Sequence, residues 1–117
     1  MDTYFDPERP ASDNKAGLLT ILNPPLQISF AFGLDRTDAL IGLWAKAAKA
    51  QSATWKKVGS MKETGTQDIS ELTVSAGPGV RFVITSPQRG AVTYNLASTD
   101  MAAFRQALSR VKDFLAR

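Results

Sequence analysis

Ile69-Ser70-Glu71-Leu72-Thr73-Val74-Ser75-Ala76-Gly77-Pro78-Gly79-Val80-Arg81-Phe82-Val83-Ile84-Thr85-Ser86-Pro87-Gln88-Arg89-Gly90-Ala91-Val92-Thr93-Tyr94-Asn95-Leu96 contains three alternating runs separated by two turns. Leu72, Val74 and Ala76 share one face of the first run, Val80, Phe82 and Ile84 one face of the second, and Val92, Tyr94 and Leu96 one face of the third. A two-residue period is the mark of a half-buried strand. Gly77-Pro78-Gly79 and Ser86-Pro87-Gln88-Arg89-Gly90 supply residues that bend a chain and break a ladder. The stretch therefore reads as an antiparallel meander.

Working outward, Met101, Phe104, Leu108, Val111 and Leu115 recur at three- and four-residue steps and predict a C-terminal helix with one apolar seam. Ser98 or Thr99 is placed to cap it, with Asp100 in its first turn. Burying such a seam contributes roughly 1.5–3 kcal/mol per large side chain. Arg105, Arg110, Lys112 and Asp113 lie largely outside it.

Upstream, Leu40, Leu43, Trp44, Ala47 and Ala48 predict a second helix over residues 37–50, with Asp35 or Thr37 as its cap and Asp38 in its first turn. Leu26, Ile28, Phe30 and Phe32 alternate before it, and Leu18–Leu22 is a short strand ending at Asn23-Pro24-Pro25. Residues 51–67 are polar and read as a loop or a further hairpin strand. Residues 1–17 hold Pro7, Pro10, Gly17 and four acids, and read as a flexible acidic arm in which Tyr4 and Phe5 are the only anchors. The expected organisation is that arm followed by a single domain over 18–117. Its fold class is α+β, in the order ββ-α-βββ-α, with two helices on one face of an antiparallel sheet. The sheet's other face would carry Gln27, Ser29, Thr73, Ser75, Arg81, Val83, Thr85, Thr93 and Asn95. Such a face is solvated, an oligomer interface or a binding platform.

Composition removes most catalytic chemistry. The chain has no histidine, so the usual acid–base group near neutral pH is missing, and serine–histidine or cysteine–histidine pairs are impossible. With no cysteine there is no disulfide framework and no thiolate metal site. No GxxxxGK[ST] phosphate loop occurs. Lysine- or tyrosine-based catalysis stays open, but the expectation is a protein that is not an enzyme and needs no cofactor or metal. No apolar stretch approaches the roughly 20 residues of a membrane span, and residues 1–6 do not resemble a secretory signal. The cytoplasm is the expected compartment.

Residues 1–43 carry six acids and three bases, a balance of −3, whereas residues 44–117 carry eleven bases and five acids, a balance of +6. A basic body favours a polyanion, although ordinary surface lysines give the same count. Trp55-Lys56-Lys57-Val58-Gly59-Ser60-Met61-Lys62 combines cations for phosphates with an aromatic for base stacking. Arg81 on the outer face and Arg89 at a hairpin tip can extend that surface. Trp55 is alternatively a buried anchor, and Trp44 belongs to the core. The expected site is therefore Trp55, Lys56, Lys57, Lys62, Arg81 and Arg89.

Tyr94-Asn95-Leu96-Ala97-Ser98-Thr99-Asp100-Met101-Ala102-Ala103-Phe104-Arg105-Gln106-Ala107-Leu108 closes a meander with a short polar cap and an amphipathic helix that has an aromatic in its second turn. This resembles the close of single-stranded DNA-binding domains of the transcriptional-coactivator/Whirly type. The helix over 37–50 departs from the plain run of strands in those domains. The small size and acidic leader are similar to single-stranded DNA-binding cofactors that recruit a phage RNA polymerase to melted promoters. The resemblance implies single-stranded DNA as ligand, an RNA polymerase as partner and a homo-oligomer. The alternative is a protein-interaction module working through Tyr4 and Phe5.

Overall fold

A computed structural model describes residues 4–11, 15–63 and 69–117. The order is β1 (Tyr4–Pro10), β2 (Ala16–Asn23), β3 (Leu26–Gly33), α1 (Leu34–Lys49), β4 (Lys56–Lys62), β5 (Glu71–Ala76), β6 (Val80–Ser86), β7 (Gly90–Leu96), a short 3-10 turn (Ser98–Asp100) and α2 (Met101–Leu115). The α+β class is as the periodicity indicates. Two strands join the expected order, and the strands form two antiparallel sheets, β1-β2-β3 and β4-β5-β6-β7.

The meander obeys its alternation. Leu72, Val74, Val80, Phe82 and Ile84 are fully buried, Ala76 and Val92 nearly so. The inner faces of both sheets and the seams of α1 and α2 meet in a continuous core, with Leu40, Trp44 and Ala47 from α1 and Phe104, Leu108 and Val111 from α2. Leu26 departs from its predicted face because it begins β3 beside the Pro24-Pro25 turn, and it is exposed.

Residues 4–10, expected in a flexible arm, instead form β1. Tyr4, Phe5 and Asp6 pair with Leu22, Ile21 and Thr20 of β2. Burial of one side chain is the physical reason. The Phe5 ring stacks on Tyr94 at 4.4 Å and lies 5.6 Å from Phe82 and 5.7 Å from Phe104. Aromatic pairs in that range contribute about 0.5–1.5 kcal/mol beyond their buried area. Two prolines and a run of acids obscured the single aromatic that decides the segment. Residues 1–3 and 12–14 of the expected arm lie outside the described residues.

The helix starts also differ from expectation. Gly33 precedes α1, and neither Asp35 nor Thr37 caps it. Thr37 is buried, and its hydroxyl donates to the Gly33 carbonyl at 3.0 Å. The 3-10 turn takes up Ser98 and Thr99, so α2 begins at Met101, behind Asp100, with no side-chain cap. The Ser98 hydroxyl is used elsewhere, donating to Gln51 Oε1 at 2.9 Å.

Glu63 joins the two sheets. Its carboxylate accepts the backbone N–H of Ala31 on β3 at 2.5 Å and that of Ser70, just before β5, at 2.9 Å. Among the described residues, no helix is long and apolar enough to cross a membrane.

Candidate nucleic-acid interface

The outer face of the four-stranded sheet follows from its register. Lys57 opposes Ser75, Ser75 opposes Arg81, and Arg81 opposes Asn95. The next row is Ser60, Thr73, Val83 and Thr93, and the third is Lys62, Glu71, Thr85 and Ala91. A bulge at Val58 preserves this arrangement. Lys57 pairs with Ser75 but Gly59 pairs with Val74, so the extra residue returns Met61 to the core and Lys62 to the outer face. Without the bulge, strict alternation would set Lys57 and Lys62 on opposite faces.

Trp55 stands at the end of this face. Its ring lies against Gly77, where an added Cβ would come within 2.4 Å of the indole. The Arg81 guanidinium sits over the ring at 4.0 Å from its centroid. Arg81 Nε donates to Asn95 Oδ1 at 2.9 Å, which fixes the plane of the guanidinium. Three loops hold the assembly. Ser52 N–H donates to the Gly77 carbonyl at 3.0 Å, the Ser52 hydroxyl donates to the Thr54 carbonyl at 2.9 Å, and Ser98 ties back to Gln51. A cation–aromatic contact of this kind contributes about 0.5–1 kcal/mol at exposed sites. Its larger effect here is orientation.

Beside the stack lies a slot of about 190 Å³ walled by Trp55, Pro78, Gly79, Asn95, Leu96 and Ala97. Gly79 lines it and admits no larger residue, since a Cβ there would run into the Leu96 carbonyl oxygen.

The expected site residues therefore divide. Trp55 and Arg81 come together, Lys57 lies in the same row across Ser75, and Lys62 shares their face at its far end. From Ser75 to Glu71, the partners of Lys57 and Lys62, is four residue steps, roughly 13 Å. Lys56 does not join them. It opposes Ala76 in a row whose other members are buried, so its exposed side chain leaves from the edge of the opposite face. Arg89 does not join them either. With Glu63, Ser70, Ser86 and Gln27 it lines a separate polar cleft of about 530 Å³ between the sheets. Gln27 and Ser29, expected on the same platform, belong to the other sheet, where the Ser29 and Thr20 hydroxyls bond at 2.7 Å. Trp44 is a core residue, 6% exposed, and its Nε1 has no hydrogen-bond partner among the described residues.

Two contributors were missed as site residues. Asn95 was legible as outward-facing from the Tyr94/Leu96 alternation, but nothing in the sequence pairs it with Arg81. Gly77 was read only as a turn former. Its role as the seat for Trp55 links residues far apart in the chain. Among the described residues, no group of three or more Asp or Glu is arranged to hold a metal. The chain matches no family model, curated protein or solved structure among those compared with it.

Proposed function

We propose that this chain is a non-enzymatic single-stranded DNA-binding protein of the cytoplasm, acting in transcription or replication, with the outer face of the four-stranded sheet as its binding surface. One observation carries the proposal. Trp55, Arg81 and Asn95 meet on an open sheet face with Lys57 in the same row, and the guanidinium sits over the aromatic ring and is tethered. Single strands bind to surfaces that pair cations for phosphates with planar groups for bases. The aromatic–guanidinium pair that suits a single strand lies on the sheet and not on either helix. The alternative module working through Tyr4 and Phe5 loses support, because Phe5 is committed to the aromatic cluster.

Homo-oligomer formation and recruitment of an RNA polymerase belong to the same proposal. The first has support from the exposed Phe114, which with Pro10 and Val111 borders an apolar depression. The second rests on the resemblance of the C-terminal strands and helix.

Fluorescence anisotropy with a labelled oligonucleotide across a salt series tests the surface. Each lost phosphate contact reduces the slope of log K against log salt by about 0.7 for a single strand. Lys57→Ala, Lys62→Ala and Arg81→Ala are each expected to weaken binding and flatten the slope by about that amount. Lys56→Ala, on the other side of the sheet edge, leaves it unchanged. Unaltered affinity in both Lys57→Ala and Arg81→Ala overturns the assignment, as does equal affinity for duplex.

A further inference from the structure

We infer that a second seam of α2 docks a second copy of this chain, as an antiparallel helix pair about a two-fold axis. The inference rests on the homo-oligomer of the proposed function and gives it a contact surface. Asp100, Ala103, Ala107, Arg110 and Phe114 recur at alternating three- and four-residue steps. That seven-residue repeat sets them on one face of a helix, in the pattern of a pairing seam. The seam runs beside the one that Phe104, Leu108 and Val111 spend on the core.

The structure sets these residues along one groove. Asp100, Ala103, Ala107 and Arg110 line a depression of about 270 Å³, and Arg110 and Phe114 line the next, of about 230 Å³. From Asp100 to Phe114 is roughly 21 Å of helix. Asp100, Ala103, Arg110 and Phe114 are exposed, whereas Ala107 is buried at the groove floor. The opposite wall belongs to β1, with Pro7 at one depression and Pro10 at the other. β1 is an edge strand, but its prolines carry no N–H, so it is a poor template for an added strand. A helix suits the groove better.

Charge identifies the helix. An antiparallel copy of α2, related by a two-fold axis level with residue 105, sets Asp100 against Arg110 of the second copy and Arg110 against its Asp100. The same axis sets each exposed Ala103 over the recessed Ala107 of the other copy, so small side chains meet where the helices are closest. Phe114 of each copy then reaches past the other's Asp100 to the groove end walled by Leu96. A parallel pair fails, because it sets Asp100 against Asp100 and Arg110 against Arg110. α2 lies on the inner side of the four-stranded sheet, where Phe104 meets Phe82 at 5.1 Å, so the antiparallel pair leaves the outer face of each copy open.

Light scattering of the full chain tests this. The parent is expected at twice the chain mass or a multiple of it. Asp100→Arg and Arg110→Asp each set like charges together at both ends of the seam, and each is expected to halve that mass and to weaken association at least about ten-fold. Equimolar mixing of the two variants restores both opposite-charge pairs between unlike copies, and the parent mass is expected to return. Ala103→Arg leaves the core untouched and is expected to separate the helices by bulk alone. Circular dichroism establishes that each variant is folded. A parent mass that persists in both charge variants and in Ala103→Arg overturns the seam and leaves an oligomer built on another face. Charge variants that stay apart on mixing overturn the antiparallel register. A parent of single-chain mass at every concentration overturns the seam and the homo-oligomer together.

Discussion

Replacing Glu63 by alanine tests what holds the two sheets in register. The carboxylate accepts two backbone N–H groups, Ala31 at 2.5 Å and Ser70 at 2.9 Å, from segments more than 30 residues apart. Both bonds are partly buried and both go to an ionised acceptor, a class in which each contributes about 1.5–3 kcal/mol. Removing the acceptor leaves two donors with only partial access to water, so the loss is expected at about 2–4 kcal/mol after discounting for that access. An unfolding entropy of about 2.1 cal/mol/K per residue makes 1 kcal/mol worth about 4 °C for 117 residues. The melting midpoint is therefore expected to fall by about 8–16 °C. Glu63→Gln retains one carbonyl oxygen and sets its N–H2 against the second donor, so about half the loss should return. Circular dichroism melts give the totals. Amide hydrogen exchange gives the location: Ala31 and Ser70 should lose protection in Glu63→Ala before their neighbours on β2 do. A loss within about 0.5 kcal/mol, typical of an ordinary surface change, would refute the reasoning, as would equal damage from glutamine and alanine.

Two further outcomes follow from local geometry. Gly79→Ala is expected to destabilise by about 1–3 kcal/mol, because the new Cβ meets the Leu96 carbonyl of the β7 backbone, which cannot swing aside. Gly42→Ala, on the exposed side of α1 with nothing within 4 Å, is expected to stabilise by about 0.4–1 kcal/mol, and urea titration of the two variants reads both signs. Lys112 bridges α2 to α1 at 2.7 Å from Asp38, and that hydrogen bond, reinforced by the carboxylate's charge, holds its pKa above the usual lysine value. The sign is that of a raised cation: the contribution is complete below the pKa of an unfolded lysine and is lost as pH rises through the folded value. Lys112→Met is thus expected to be the less stable protein at neutral pH, with the gap closing on the alkaline side. A constant gap across that range contradicts the bridge, and salt should narrow it at neutral pH.

The two-residue periods in β3, β5, β6 and β7 and the seam of α2 were legible because each element buries most of one face, and burial writes itself into alternation. β1 was not legible, since its two aromatics, Tyr4 and Phe5, stand among prolines and charges, and the partners of the Phe5 ring, Tyr94, Phe82 and Phe104, come from much later in the chain. The division into two sheets was equally hidden. Their junction uses Glu63, which looks in sequence like an ordinary surface acid. Within the site, Trp55, Lys57, Lys62 and Arg81 could be named from residue type, but Lys56 and Arg89 could not be told apart from them. A bulge at Val58 and the turn geometry of Ser86–Gly90, where Gly90 has φ +102°, decide where those side chains go.

Charge needs the same correction from chain to face. The acidic balance of residues 1–43 suggested an acidic arm set against a basic body. In the folded protein, Asp6 lies 3.6 Å from Arg9 and Asp38 is bonded to Lys112, so part of the acid is matched locally, and Glu63 is held by backbone donors. The outer sheet face carries Lys57, Lys62 and Arg81 against Glu71, three cations and one acid. At about 0.7 per phosphate contact, three cations limit the salt slope to about −2. On the proposed function, charge of that size would steer a strand but hold it weakly near physiological salt. Affinity that persists there has to come from contacts salt does not screen, and on this face those are concentrated where the Trp55 ring, the Arg81 plane and the slot over Gly79 meet.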